Sequence, residues 1–147
     1  MRKDVTRQRE FVYRGFGFPV ILLNVPMVRV RGEWTPDVNY AALQRRLLAM
    51  LVEKPARLTG DEVRFIRLAH DMTVAAFAQR FAVTHPAVLK WQAAGVSPTE
   101  MVWSTEKDVR LFILTQLHAA PRKFARAYQQ LQTAPAKKPT RLRIDVA

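Results

Sequence analysis

The stretch that decides the fold runs from Leu58 to Gly95, LTGDEVRFIRLAHDMTVAAFAQRFAVTHPAVLKWQAAG. Its apolar residues recur at helical spacing in three short runs separated by brief breaks. Val63, Ile66 and Ala69 stripe the first run, Phe77, Ala78 and Phe81 the second, and Val88 and Trp91 the third. Three short helices converging on one small core make a helix-turn-helix pattern with a preceding support helix. The start signals agree. Thr59 stands at capping-box spacing from Glu62, and Asp61 and Glu62 fall in a first turn, where the helix dipole favours carboxylates. Thr73 is placed to cap the second helix. Thr84 or His85 caps the third, because Pro86 suits a first turn but disfavours helical geometry at the residue before it.

From Thr73 to Gly95 the chain resembles the lambda-repressor-like (Xre/Cro-type) helix-turn-helix DNA-binding proteins. The matching positions are Phe77 and Ala78 in the first motif helix, Val83 and Thr84 at the turn, Val88 in the recognition helix and Trp91 near its end. The lead-in, LTGDEVRFIR, is similar to the DNA-binding half of MqsA-type antitoxins. Several departures accompany the match. Ala82 stands where family members often carry glycine in the turn, and a left-handed alanine costs about 1–2 kcal/mol, so a reshaped turn is expected. Val74 occupies the place of a frequent DNA-contacting glutamine, and Gln92 that of a frequent glutamate. Without cysteine, the zinc-binding half of MqsA has no counterpart here.

Composition sets the outer bounds. A chain of 147 residues, 49% hydrophobic, can bury one ordinary core and a small satellite. The polar start, Met1-Arg2-Lys3-Asp4, and the short apolar run from Phe18 to Leu23, broken by Pro19, point to a cytoplasmic protein with no membrane segment. Absence of cysteine excludes disulfides and thiolate chemistry. With 24 Lys plus Arg against 12 Asp plus Glu, the net charge of +12 favours a polyanionic partner. The excess is unevenly placed: residues 58–119 are balanced, and the surplus lies in the flanks. On this reading the motif reads and the flanks hold.

The expected fold class is mainly α, a lambda-repressor-like helix-turn-helix bundle with a small amino-terminal β-hairpin or meander. Residues 1–34 make a basic arm and β extension, 35–57 a connecting amphipathic helix and linker, 58–133 the DNA-binding domain with two further helices, and 134–147 a basic tail. The arm, residues 1–9, carries Arg2, Lys3, Arg7 and Arg9 and is either a solvated terminus or a DNA-contacting arm. Alternation between residues 10 and 32 predicts two or three strands, which need a partner surface to be stable. Thr35-Pro36-Asp37 reads as a helix start, followed by a stripe of Tyr40, Leu43, Leu47, Met50 and Leu51. Ser104 or Thr105 starts the next helix, with Val109, Phe112, Ile113 and Leu117 buried. Pro121 begins a last amphipathic helix, in which Phe124, Tyr128 and Leu131 recur at four- and three-residue steps; these two helices either complete the domain or form a dimer seam. Alternation at residues 141–146 suggests a strand added to the amino-terminal sheet.

With Val88 and Trp91 inward, the DNA-binding set is Thr84, His85, Pro86, Ala87, Leu89 and Lys90, joined by Thr73, Gln79 and Arg80. His85 and Lys90 suit a guanine edge, Pro86 and Ala87 a thymine methyl, and Gln79 and Arg80 phosphate. No Arg, Asn or Gln opens the recognition helix, so indirect readout or the basic arms supply much of the specificity. Tryptophans such as Trp34, Trp91 and Trp103 pack far more often than they stack on bases, and Trp91 is assigned to the core; His70 and His118 are surface or structural residues. No metal, cofactor or catalytic constellation is present in the sequence, and no enzyme is expected.

These readings predict a sequence-specific DNA-binding transcriptional regulator, a repressor acting as a homodimer on a two-fold-related double-stranded operator. The resemblance implies an antitoxin that autoregulates a toxin-antitoxin operon, with residues 10–32 or the helix 37–53 engaging a cognate toxin. Two alternatives stay open: a stand-alone phage or mobile-element repressor, and a protein-interaction module whose helix-turn-helix has lost DNA binding. RNA binding through the flanks lacks an exposed aromatic platform.

Overall fold

The computed structural model describes residues 5–138 and 140–147. The strand β1 (Val5–Tyr13) runs antiparallel to β2 (Val20–Val30), with Tyr13 opposite Val20 and Val5 opposite Val28. Along its other edge β2 takes two partners end to end. β3 (Glu33–Pro36) pairs antiparallel with residues 27–30, and β4 (Leu142–Asp145) pairs parallel with residues 20–23. The β2–β3 connection is the two-residue turn Arg31-Gly32, with φ of +51° and +82°, a type I′ turn whose twist matches the strands it joins.

Asn24 divides the two halves of β2. Upstream the buried residues are Val20 and Leu22; downstream they are Val25 and Met27, so the buried phase shifts by one residue. Asn24 lies between with φ +53°, a conformation asparagine tolerates better than most residues. Its side-chain Nδ2 donates to Asp145 Oδ2 at 2.9 Å, tying the end of β4 to this point. Across β2, Arg143 pairs with Glu10 at 2.8 Å.

Six helices complete the chain: α1 (Tyr40–Glu53), α2 (Gly60–Ala69), α3 (Val74–Arg80), α4 (His85–Ala93), α5 (Trp103–Gln116) and α6 (Pro121–Gln130). The chain divides into two compact units. One holds the described residues up to Leu43 together with Thr140–Ala147; the other holds those from Gln44 to Lys138.

The architecture is therefore α/β, with a four-stranded mixed sheet, and the expectation of a mainly helical bundle carrying a small hairpin is overturned. The sheet was underestimated at both ends. Residues 5–9, expected as an arm, continue β1; Thr6, Gln8 and Glu10 are exposed along with Arg7 and Arg9, so no apolar alternation marks that half of the strand. Arg2 and Lys3 of the expected arm lie outside the described residues. The suggested carboxy-terminal strand is present as β4. Thr35-Pro36-Asp37 does not begin a helix: Pro36 closes β3, and α1 starts at Tyr40 behind Asn39, whose Oδ1 accepts from the Ala42 amide at 3.0 Å. Pro36 fits a sheet edge because its missing N–H removes no bond from a central ladder.

The helical unit buries Leu47, Leu51, Leu58, Val63, Ile66, Phe77, Val88, Met101, Val109 and Ile113. Phe81 sits edge-on between Phe77 and Phe112, with centroid distances of 4.7 and 5.4 Å. Helix α5 begins at Trp103, earlier than Ser104 or Thr105 would set it, and its cap residue Val102 offers no side-chain bond.

The segment Lys54-Pro55-Ala56-Arg57, read from sequence as a simple linker, is the centre of a buried charge network. Glu106, fully buried, accepts from Arg57 Nε at 2.9 Å through one oxygen, and from Arg110 Nη2 at 2.8 Å through the other. Arg110 Nε donates to the same oxygen at 3.2 Å, and its other donors go to the carbonyls of Val52, Lys54 and Ala56. Arg57 also donates to the Met101 carbonyl. Lys54 Nζ meets Glu62 Oε1 at 2.6 Å, so the carboxylate that completes the α2 capping box also holds a buried lysine. Burial pulls the Arg110 guanidinium below its ordinary pKa, and Glu106 offsets that pull.

Candidate nucleic-acid interface

The helix starts of residues 58–95 follow the sequence closely. Thr59, Thr73 and Thr84 cap α2, α3 and α4, their hydroxyls accepting from the amides of Glu62, Ala76 and Ala87. The α3–α4 turn keeps its shape without glycine. Ala82 adopts φ +56°, Val83 N donates to Ala78 O and Ala82 N to Gln79 O, the paired bonds of a Schellman motif. The expected reshaping of this turn does not occur; the left-handed alanine is accepted instead.

Helix α4 is held from behind. Val88 and Trp91 are buried, as their three-residue spacing predicts. At its far end α4 approaches the start of α2 so closely that a Cβ on Gly60 would lie 2.5 Å from the Trp91 carbonyl oxygen. Asp61 N donates to Gly95 O at 2.9 Å and Gly60 N to Ser97 O at 3.2 Å, giving the first amides of α2 partners in the loop after α4. Arg67 adds a side-chain tie, with Nε to Gln92 Oε1 at 2.7 Å and Nη1 to the Met72 carbonyl at 2.9 Å. Burial, with nearby Arg64, lowers the Arg67 pKa.

This packing leaves one face of α4 outward. Thr84, His85, Pro86, Leu89 and Lys90 are exposed and Ala87 is half-buried. Continuity of a single short helix brings these six together. Among the described residues the side chains of His85 and Lys90 make no hydrogen bond or ion pair, so both are free to engage a ligand. Thr73 is exposed at the start of α3, with its hydroxyl already accepting from Ala76 N at 3.0 Å. Gln79 is exposed at the other end of α3. Arg80, beside it, is engaged: its Nη1 pairs with Asp108 at 3.2 Å and its guanidinium lies over Phe81 and Phe112. Reaching a phosphate would give up an exposed ion pair worth about 0–1 kcal/mol and ring contacts worth about 0.5–1 kcal/mol each.

Two elements of this framework were not evident from sequence. Gln92 stood out only as a departure from glutamate, and its role as the acceptor for Arg67 depends on a contact between residues 25 positions apart. The balance of six acidic and six basic residues over 58–119 concealed that Glu62, Glu106 and Arg110 are buried. Their charges are spent on the fold. No helix among the described residues is long and apolar enough to cross a membrane. No protein-family model, curated protein or solved structure matches this chain.

Proposed function

We propose that this chain is a sequence-specific DNA-binding transcriptional regulator, a repressor, in which α4 enters the major groove of an operator. The observation that carries the proposal is the exposed face of α4, with His85 and Lys90 unpartnered among the described residues, on a helix fixed from behind by Val88, Trp91 and the Gln92–Arg67 bond. The resemblance of residues 73–95 to Xre/Cro-type proteins and the net charge of +12 support the same partner. A two-fold dimer on a palindromic operator follows from the way such helices pair with half-sites.

Within this reading, the similarity of residues 58–67 to MqsA-type antitoxins favours an antitoxin that represses its own operon. The deciding experiment is a gel-shift titration against the chain's own upstream DNA and a scrambled duplex at several salt concentrations. Salt-sensitive binding that prefers the upstream duplex supports the regulator. Equal, weak binding to both overturns it in favour of a protein-interaction module.

A further inference from the structure

From Val109 through Ile144 the chain contains no aspartate or glutamate, while basic residues occur throughout. Arg110 is consumed by the buried network, Lys137 pairs with Glu100 and Arg143 with Glu10. Helix α6 is different. Phe124, Ala127 and Leu131 form its inward side, and about 100° per residue then places Arg122, Arg126 and Gln129 together on the opposite side, flanked by Lys123 and Gln130. All five are exposed, and among the described residues none of their side chains has a hydrogen bond or ion pair. Helix stability does not account for the cations. Arg122 and Lys123 occupy the first turn, where the dipole disfavours positive charge, and no carboxylate stands one turn away to offset them.

We propose that this face of α6 is a second, sequence-independent DNA contact that lies on the phosphate backbone. The inference rests on the regulator reading above and adds to it a surface separate from α4. The chemistry favours phosphate over base edges. Three flexible cations and two amide side chains spread along one side of a helix neutralise and donate to a line of anionic oxygens. Gln129 and Gln130, which follow the cations at the end of the helix, suit a hydrogen-bonding surface rather than an apolar one, which argues against a lipid bilayer. The exposed aromatic of α6, Tyr128, lies about 100° round the helix from Gln129 and carries Lys107 Nζ 4.1 Å from its ring centroid, so it stands outside this face; that argues against single-stranded RNA, which stacks its bases on aromatic rings.

The test uses the full chain and the triple variant Arg122→Gln, Lys123→Gln, Arg126→Gln. Binding is titrated at several salt concentrations against the upstream duplex, a scrambled duplex of equal length, an RNA hairpin, and vesicles of phosphatidylserine and phosphatidylcholine. A control triple variant, Arg14→Gln, Arg31→Gln, Arg45→Gln, removes the same charge from exposed positions elsewhere. Both duplexes are expected to weaken roughly tenfold or more in the α6 variant, with a log–log salt slope shallower by about 2–3. The ratio of upstream to scrambled affinity should not change. Arg126→Gln alone, expected to reduce the slope by about 0.9, provides the same reading if the triple variant melts early. Duplex binding by the unaltered chain that is the same in both triple variants overturns the α6 contact and leaves the regulator intact. Loss confined to RNA or vesicles overturns it in favour of that partner. Failure of the unaltered chain to bind either duplex overturns the regulator reading, and this contact with it.

Discussion

Arg67 Nε donates to Gln92 Oε1 at 2.7 Å, so the support helix α2 holds the end of α4 by a side-chain bond as well as by backbone packing. A charge-assisted bond of this kind contributes about 1.5–3 kcal/mol. Arg67→Ala also releases the Met72 carbonyl. It is expected to lower stability by about that amount in a urea titration, and to weaken any DNA preference more than total binding. A variant as stable as the parent would show that the backbone contacts at Gly60 and Asp61 suffice.

Glu106→Gln leaves two guanidinium groups facing a neutral amide in the interior. Breaking a buried ion pair on one side costs about 3–5 kcal/mol, because the remaining charge stays desolvated. Chemical denaturation should show a loss in that range. A loss below about 1 kcal/mol would mean that water reaches Arg57 and Arg110 in the folded state.

Ala82→Gly is expected to stabilise the chain. The left-handed conformation at φ +56° costs alanine about 1–2 kcal/mol, and glycine's greater freedom when unfolded returns about 0.4–1 kcal/mol of that gain. A net rise of up to about 1.5 kcal/mol should be visible as a higher melting temperature. A fall would mean that the Ala82 methyl packs in a way its exposure does not suggest.

On α4, Lys90→Ala and His85→Ala are each expected to reduce the preference for specific over scrambled DNA by about 1–3 kcal/mol, with unchanged melting. If neither alters the ratio, the outward face of α4 is not the reading surface.

Tyr40 links pH to the stability of the sheet unit. Burial, with Tyr13 and Asp37 nearby, raises its pKa above 10.0. A raised acid group holds its proton more tightly folded than unfolded. Its contribution is therefore complete below about pH 10 and is lost as pH climbs through the folded value. Melting temperature should fall over that alkaline range, and Tyr40→Phe should remove part of the fall. An identical alkaline profile in the variant would assign the transition to other groups.

What could be read from sequence was local. Capping residues and apolar stripes act within one or two turns, so Thr59, Thr73, Thr84, Val88 and Trp91 all sit where their spacing placed them. Long-range contacts were harder to see. A strand exposed on both sides carries no alternation, which hid residues 5–9. Pro36 fits a helix start and a sheet edge equally well, and only pairing with Met27 distinguishes them. Buried charges look like surface charges in a composition, so the network of Lys54, Arg57, Glu62, Glu106 and Arg110 was invisible. For the candidate site, the exposed face of α4 was legible, but the grip of Arg67 on Gln92 and the unpartnered cations of α6 were not singled out.

The placement of β4 has a consequence for how the chain acquires its structure. Asn24 and Asp145, joined by a hydrogen bond, are 121 residues apart, and the helical unit is threaded between them. Closing a long disordered loop is entropically expensive, whereas an already folded insert shortens the effective path. Formation of the helical unit thus lowers the entropic barrier to the last strand pairing, and its unfolding raises that barrier again. During synthesis, β1, β2 and β3 emerge early but wait for β4 until nearly all of this sequence has been made. A substitution deep among the helices, such as Glu106→Gln, is then felt at the edge of β2 through chain connectivity.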